Sequence, residues 1–522
     1  MAQIDVNDLT FYYEDSFENV FEHVTFSIDT NWKLGFVGRN GKGKTTFLHL
    51  LMGKYEYRGS IRSNTSFDYF PYHIEPEYFD CPAAEFIDKL KCGCEQWRVI
   101  CELEQLGLDA EVLYRPFGTL SFGERTKVML AVLFSGENDF LLIDEPTNHL
   151  DWQARELVKK YLQGKKGFIL TSHDRDLLDA CIDHILVLNR CTIEVQSGSF
   201  SSWWENKSRK DNFARVQNEK HRKEIAKLRE AARRTGQWAD KSEASKIGYD
   251  PIKEHDHNVV SGRGYIGAKT KKMQSRVKQM ERRMEQEIKE KEGLLQDIEN
   301  PSDLKLVSLR HHKNLLLSAR EYGLGYAGAG TFLFEGLNFE ICQRERVFLC
   351  GANGCGKTSL IQAVLQEVEG EVCGTEQMEL MEQGMLQTAS GLIVSYVSQD
   401  TSFLRGSIKE FGRVRNLEES LFFALLHKMD VERSQFDKNM ENFSEGQKKK
   451  VLLAASLVTP AHLYIWDEPL NYIDVFSRIQ LENVLLSYQP TMLVVEHDVK
   501  FKEHIATKVI EIKKGCNTCK EK

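Results

Sequence analysis

An α/β fold present twice in one chain, the two copies joined by a long antiparallel two-helix linker, is what the sequence predicts. Three observations lead there: strand-length apolar runs alternate with helical patterns, a set of motifs returns in the second half, and the middle is highly charged and helix-patterned. The chain has 522 residues, and roughly 150 per domain gives two to four domains. The densest apolar run, Phe140-Leu141-Leu142-Ile143, is strand-sized, far short of the roughly 18–20 residues that span a bilayer. The start, Met1-Ala2-Gln3-Ile4-Asp5, has neither a basic nor an apolar region, so no secretory signal is expected. The 12 Cys are scattered, which fits a reducing cytoplasm better than a disulfide framework.

The repeat is explicit. Gly38-Arg39-Asn40-Gly41-Lys42-Gly43-Lys44-Thr45 returns as Gly351-Ala352-Asn353-Gly354-Cys355-Gly356-Lys357-Thr358. Leu141-Leu142-Ile143-Asp144-Glu145-Pro146 returns as Tyr464-Ile465-Trp466-Asp467-Glu468-Pro469. Ser121 precedes Asp144 by 23 residues, and Ser444 precedes Asp467 by 23. Glu145 precedes His173 by 28, and Glu468 precedes His497 by 29. Two large copies of one domain account for this spacing. We expect the first at 1–202, the linker at 203–305 and the second at 306–522.

Each element follows from local pattern. Residues 34–37 read as a strand entering a Gly-rich loop, with a helix over 45–52 leaving it. Residues 140–143 and Phe168–Thr171 are short apolar runs with polar flanks, as buried parallel strands are. A helical pattern covers 124–134. From 203 to about 246 the chain is charged and free of Pro, with apolar residues at Phe213, Val216, Ile225, Leu228 and Ala232. Gly248-Tyr249-Asp250-Pro251 and then Gly262, Gly264 and Gly267 break that pattern, placing a tip at 247–267. A second helix is expected from about 268 to 298, where Met273, Val277, Met280 and Met284 are spaced 4-3-4, a coiled-coil seam. Residues 205–298 carry 24 Lys and Arg against 16 Asp and Glu, a net of +8 inside a chain of net −8. A basic stretch in an acidic protein suits a polyanion contact, although a solvated helix pair has the same composition.

The motifs carry phosphate chemistry. GxxxxGK[ST] between strand and helix is a phosphate cradle: backbone N–H groups close around the phosphates, Lys44 and Lys357 reach the β and γ groups, and Thr45 and Thr358 meet Mg²⁺. Asp144 and Asp467, at strand ends, are expected to hold Mg²⁺. The next carboxylates, Glu145 and Glu468, would polarise the attacking water. His173 and His497 follow a further apolar strand in repeated register and are read as γ-phosphate contacts. Ser121-Phe122-Gly123-Glu124 and Ser444-Glu445-Gly446-Gln447 each open a helix, where backbone N–H groups can bind an anion; each alone would read as an ordinary N-cap.

Together these blocks resemble the ATP-binding cassette superfamily: Walker A, signature and Walker B motifs with a switch His, in both halves, over nearly the whole chain. The resemblance implies ATP and Mg²⁺ as cofactors and ATP hydrolysis as the activity. It assigns to nucleotide Tyr13, Gly38, Asn40, Gly41, Gly43, Lys44, Thr45, Thr46, Ser121, Gly123 and Glu124. In the second half it assigns Tyr326, Gly351, Asn353, Gly354, Gly356, Lys357, Thr358, Ser359, Gln399, Ser444, Gly446 and Gln447. Tyr13 and Tyr326 fit the adenine-stacking aromatic, and Gln399 fits a Q-loop residue that also meets the metal. Asn148-His149-Leu150-Asp151 and Asn471-Tyr472-Ile473-Asp474 resemble D-loops. Head-to-tail packing would pair Lys44 with Ser444 and Lys357 with Ser121.

Two cassettes with a long charged hairpin resemble the ABC-F class. Asn31-Trp32-Lys33-Leu34-Gly35, the stretch from Tyr464 to Asn471, and Gly267-Ala268-Lys269 are similar to Lsa-type resistance proteins. That implies a cytoplasmic, monomeric factor that binds the bacterial ribosome at the E site, touching ribosomal RNA and the P-site tRNA. Its linker tip would displace lincosamides, streptogramins A and pleuromutilins from the peptidyl transferase centre. A general translation factor of the same class and the ATPase subunit of an efflux pump remain alternatives. Departures are expected to make the two sites unequal: Tyr72 stands at the first Q-loop position, and Phe122 and Glu445 replace a signature glycine. A carboxylate at Glu445 would repel a γ-phosphate.

Overall fold

The computed structural model describes residues 3–13, 19–91, 93–136, 139–148, 150–244, 306–326, 331–369 and 380–513, with a few more between 275 and 289. The chain divides into two compact units, Met1–Trp203 with Pro301–Lys522, and Trp204–Asn300. Both cassettes lie in the first.

Each cassette is built on a parallel sheet. In the first, the strand order is Ser66–Phe70, Asp139–Asp144, Phe168–Thr171, Lys33–Val37, His184–Asn189 and Thr192–Ser197, parallel except for the last pair. The second repeats it as Val394–Val397, Leu463–Asp467, Met492–Val495, Arg346–Cys350 and Lys508–Glu511, all parallel. A three-stranded antiparallel sheet accompanies each: Phe21–Asp29, Gln3–Phe11 and Arg58–Ser63 in one, Phe332–Cys342, Leu315–Tyr326 and Leu380–Thr388 in the other.

Apolar runs are unbroken in these strands because both faces are covered. In the second cassette Val347, Leu349, Ile465, Leu493 and Val495 join the core beneath the antiparallel sheet. The alternate residues Phe348, Trp466, Met492 and Val494 join the helical core on the other face. The period of two that sorts them is that of a pleated strand. Trp466 is fully buried, and its indole N–H donates to Ser456 Oγ at 3.0 Å.

The cassettes meet through charged side chains as well as through their nucleotide loops. Arg175, at the start of the helix Arg175–Cys181, is ion-paired with Glu482 on the helix Val475–Tyr488, both buried. Asp179 is paired with Lys500 and also accepts from Ser201 N at 2.7 Å. Trp203 lies edge-on to Phe476, with ring centroids 6.2 Å apart.

The long helix of the linker runs Phe200–Ala244, about 65 Å at 1.5 Å per residue. Phe213 and Val216 are exposed on it; beyond its first turn the buried positions among the described residues are Ala214, Asn218 and the expected Ile225. Spacings of four and seven put those three on one stripe. The expected tip at 247–267 lies outside the described residues, as do Met273 and Val277 of the expected seam. No helix among the described residues is long and apolar enough to cross a membrane.

Removing one partner of the buried interface pair strands a charge. Glu482→Ala is expected to lower stability by about 3 kcal/mol, read as a shift of the urea midpoint. The double change Arg175→Met with Glu482→Leu is expected to restore most of it.

Candidate functional site

Each phosphate loop is fixed by glycines that no other residue can replace. Gly43 has φ +108, and a Cβ there would lie 2.5 Å from Val20. Gly356 has φ +98, with Phe334 and Leu333 within about 3.2 Å of a Cβ. Helices Lys44–Leu51 and Lys357–Glu369 begin directly afterwards, so their free N–H groups face the loop. Lys44 Nζ donates to Gly38 O (2.8 Å), Arg39 O (3.3 Å) and Asn40 Oδ1 (3.1 Å). Lys357 Nζ donates to Gly351 O and Ala352 O, both at 2.9 Å. The ammonium is thus held at the loop mouth by the loop's own carbonyls. Burial lowers the Lys44 pKa, opposed by Asp474 and Glu145.

Tyr13 and Tyr326 occupy matching places. Tyr13 OH is 2.6 Å from Thr46 Oγ1, and Tyr326 OH is 2.8 Å from Ser359 Oγ. The hydroxyls of Thr46 and Ser359 are therefore engaged by these tyrosines, which ties each ring to the helix behind the loop.

The strand ends bring in the carboxylates. Thr45 Oγ1 donates to Asp144 Oδ2 at 2.8 Å, and the Thr171 hydroxyl donates to Asp144 Oδ1. Asp467 is fully buried, and neither oxygen has a partner in hydrogen-bond geometry among the described residues. Burial pushes its pKa up to about 6, against the pull of the nearby Thr358 hydroxyl. Orphaned carboxylate oxygens beside a threonine suit a hard cation that completes its shell with phosphate oxygens. Among the described residues no three carboxylate, His or Cys side chains cluster for a metal. An Mg²⁺ here would take Thr45 and Asp144, or Thr358, Asp467 and Gln399, and would neutralise phosphate charge.

Glu145 and Glu468 both sit at positive φ, +50 and +46. That region is uncommon and strained for a residue with a Cβ. The neighbouring strand holds it: Glu145 N donates to Thr171 O and Glu468 N to Val495 O. Glu145 lies 3.3 Å from His173 Nε2, and Glu468 lies 3.8 Å from His497 Nε2. Burial first, then Asp144, pushes the Glu145 pKa up to about 8. Burial holds His173 well below its ordinary value and brings His497 down to about 3. Both imidazoles are thus neutral, able to donate one hydrogen bond and accept another. Glu468 also accepts from Gln399 Nε2 (2.8 Å) and Asn471 Nδ2 (2.7 Å).

The signature serines are N-caps in both halves. Ser121 accepts from Glu124 N while Glu124 accepts from Ser121 N; Ser444 and Gln447 do the same. The side chains of Glu124 and Gln447 thereby close their own helix starts. Across the cassettes, Ser121 and Gly123 line a cavity of about 910 Å³ with Tyr326, Lys357, Thr358 and Glu468. On the other side Asn40 Nδ2 donates to Tyr472 O at 2.6 Å, and a Cβ on Gly446 would lie 2.6 Å from that same oxygen.

Two departures resolve differently from the sequence expectation. Glu445 does not stand as a bare anion: Thr401 Oγ1 (2.5 Å) and Lys448 Nζ (3.0 Å) donate to it. They hold its pKa below the ordinary value although burial pulls upward. Its charge is spent locally, which weakens the expected repulsion. Tyr72 turns to Asp68 (2.6 Å), and Tyr69 is the residue whose hydroxyl reaches Asp144, at 3.1 Å. Sequence reasoning missed Tyr69, Thr171 and Asn471. Asn471 sits in a recognised motif; the other two point at Asp144 only because the strands Ser66–Phe70 and Phe168–Thr171 flank its own.

Twin phosphate loops, each with a carboxylate pair and a signature helix from the opposite half, define a tandem P-loop ATPase. The family model described as ABC transporter matches residues 21–148 and 334–471, about half of the chain. The chain belongs to the ABC transporter family, and within it to the ABC-F class with resistance-type relatives. It is similar to the ribosome protection protein VmlR of Bacillus subtilis (strain 168), 28% identical over 502 residues, 94% of this chain and 83% of that protein. It is also similar to the erythromycin resistance ATP-binding protein MsrA of Staphylococcus epidermidis, 26% identical over 508 residues, 92% of each. In fold it matches the crystal structure of archaeal ribosomal stalk protein aP1 with the archaeal ribosome recycling factor aABCE1. There the TM-score is 0.60 at 18% identity, covering 97% of this chain and 87% of that one.

Lys44→Ala and Lys357→Ala are each expected to abolish nucleotide binding at one site. Equilibrium titration with a fluorescent ATP analogue should show a stoichiometry falling from two to one in either variant.

Proposed function

We propose that the chain is a bacterial ribosome-protection factor driven by ATP. It would bind the ribosomal E site in its ATP-closed form and displace drugs of the peptidyl transferase centre through the linker tip. One observation supports the reading: a chain with tandem P-loop cassettes and an intervening segment rich in Lys and Arg aligns over nine-tenths of its length with a ribosome protection protein. ATP binding supplies the closing force, because each γ-phosphate would be gripped by the loop of one cassette and the signature helix of the other. Lys44 with Ser444, and Lys357 with Ser121, form these pairs. Glu145 and Glu468 act as general bases toward water, and His173 and His497 hold the γ-phosphate. Hydrolysis then opens the pair and releases the factor. The linker's excess of Lys and Arg suits ribosomal RNA, whose phosphates dominate such contacts. The protein works in the cytoplasm as a monomer.

Glu145→Gln with Glu468→Gln is expected to keep ATP binding and lose at least 10²-fold in turnover. The variant should co-sediment with ribosomes in ATP; rapid turnover by it would overturn the base assignment. Bacterial cell-free translation, inhibited separately by a lincosamide, a streptogramin A, a pleuromutilin and erythromycin, tests the whole reading. Purified protein with ATP is expected to restore synthesis with one or more of these. Failure with all four, from protein that binds ribosomes and hydrolyses ATP, favours the general translation factor.

A further inference from the structure

The two nucleotide sites are sealed differently. In the first phosphate loop Arg39 is ion-paired with Asp430, and Lys42 Nζ lies 3.5 Å from Glu432 Oε1. Both acids belong to the turn that ends the helix Glu419–Lys428, ahead of the second signature. Asn40 reaches the same cassette through its bond to Tyr472 O. Three polar side chains of one loop, at positions 39, 40 and 42, therefore grip the opposite cassette.

The other site lacks the side chains for these two ion pairs. Ala352 and Cys355 replace Arg39 and Lys42 in the second loop. Counting back from the signature serines, Gly107 and Asp109 replace Asp430 and Glu432. The equivalence is structural too: Asp430 and Gly107 share the left-handed backbone, φ +61 and +67. With Ala and Cys in place of Arg39 and Lys42, and Gly in place of Asp430, neither ion pair can form there. This is the side on which the cavity of about 910 Å³ lies between Lys357 and Ser121.

We propose that Arg39 and Lys42, with Asp430 and Glu432, form an ionic latch across one interface only, retaining nucleotide at the Lys44 site while the Lys357 site exchanges first. The four are positioning residues: they hold the second signature helix against the first phosphate loop. Nucleotide at the Lys44 site must wait for two ion pairs and the Asn40 bond to part. At the Lys357 site no ion pair between the corresponding positions opposes its release. The latch acts in the isolated ATPase and needs no ribosome.

Stopped-flow release of a fluorescent, non-hydrolysable ATP analogue from the full-length protein, chased with excess ATP, tests it. Two phases are expected. Lys357→Ala should remove the fast phase, and Lys44→Ala the slow one. Asp430→Asn with Glu432→Gln keeps the side-chain shapes and removes both charges, and Asn tolerates the left-handed backbone. That variant is expected to speed the slow phase about fivefold, the scale of two partly exposed ion pairs, and to leave the fast phase unchanged. Raising salt from about 50 to 500 mM should do the same to the parent protein and little to the variant. A single phase in the parent, a slow phase indifferent to the charge removal, or loss of the fast phase in Lys44→Ala would each overturn the latch. An unchanged melting temperature keeps a folding defect from imitating it.

Discussion

Four charges meet at the junction of the cassettes, three of them buried and Arg155 nearly so: Asp174 and Arg155 from the first, Asp498 and Arg478 from the second. Arg478 donates to Asp498 Oδ2 at 2.9 Å, and Arg155 lies 3.8 Å from Asp174. Each Asp also caps the helix after its switch His, Asp174 toward Leu177 N and Asp498 toward Phe501 N. Each Arg donates its Nε to the backbone of its own D-loop region, Arg155 to Leu150 O and Arg478 to Ile473 O. Desolvating four ions is costly unless every one is paired and hydrogen-bonded, and here they are. Burial and then Asp498 raise the Asp174 pKa, so the two carboxylates sense each other across the interface. The segment after each His is thereby tied to the D-loop region of its own cassette, while Arg478 attracts Asp174 and Arg175 attracts Asp498 across the interface.

The sites themselves are built from strained parts. Glu145 and Glu468 follow the Asp on a strand end and turn back at positive φ, each donating its backbone N–H to a carbonyl of the adjacent strand. A carboxylate fixed this way would lose little freedom on meeting a water. The surrounding sheet is buried on both faces and supplies the rigidity that supports the strain.

The root of the linker shares in the same contacts. Asp179 serves the second cassette through Lys500 and the helix start through Ser201, while Trp203 leans on Phe476 just beyond the second D-loop. A change in the cassette contact therefore reaches residues 200–203 directly, through one shared carboxylate and one aromatic pair.

The sequence by itself determined the duplication, the parallel strands, both phosphate loops and the order of their acidic partners. These are legible because each depends on neighbours within a few residues: a Gly at a left-handed turn, a strand-length apolar run, a carboxylate at its end. Ser121 and Ser444 were legible as helix starts for the same reason. Only the tertiary structure decided that Tyr69 and not Tyr72 reaches Asp144, since strand pairing chooses which side chain meets it. It also decided that Glu445 is neutralised by Thr401 and Lys448, and that Phe213 and Val216 face outward on a helix whose buried stripe runs through Ala214, Asn218 and Ile225. The pairing of Arg39 with Asp430, 391 residues apart, belongs there as well. Such contacts join segments that no local period relates, so packing alone selects them.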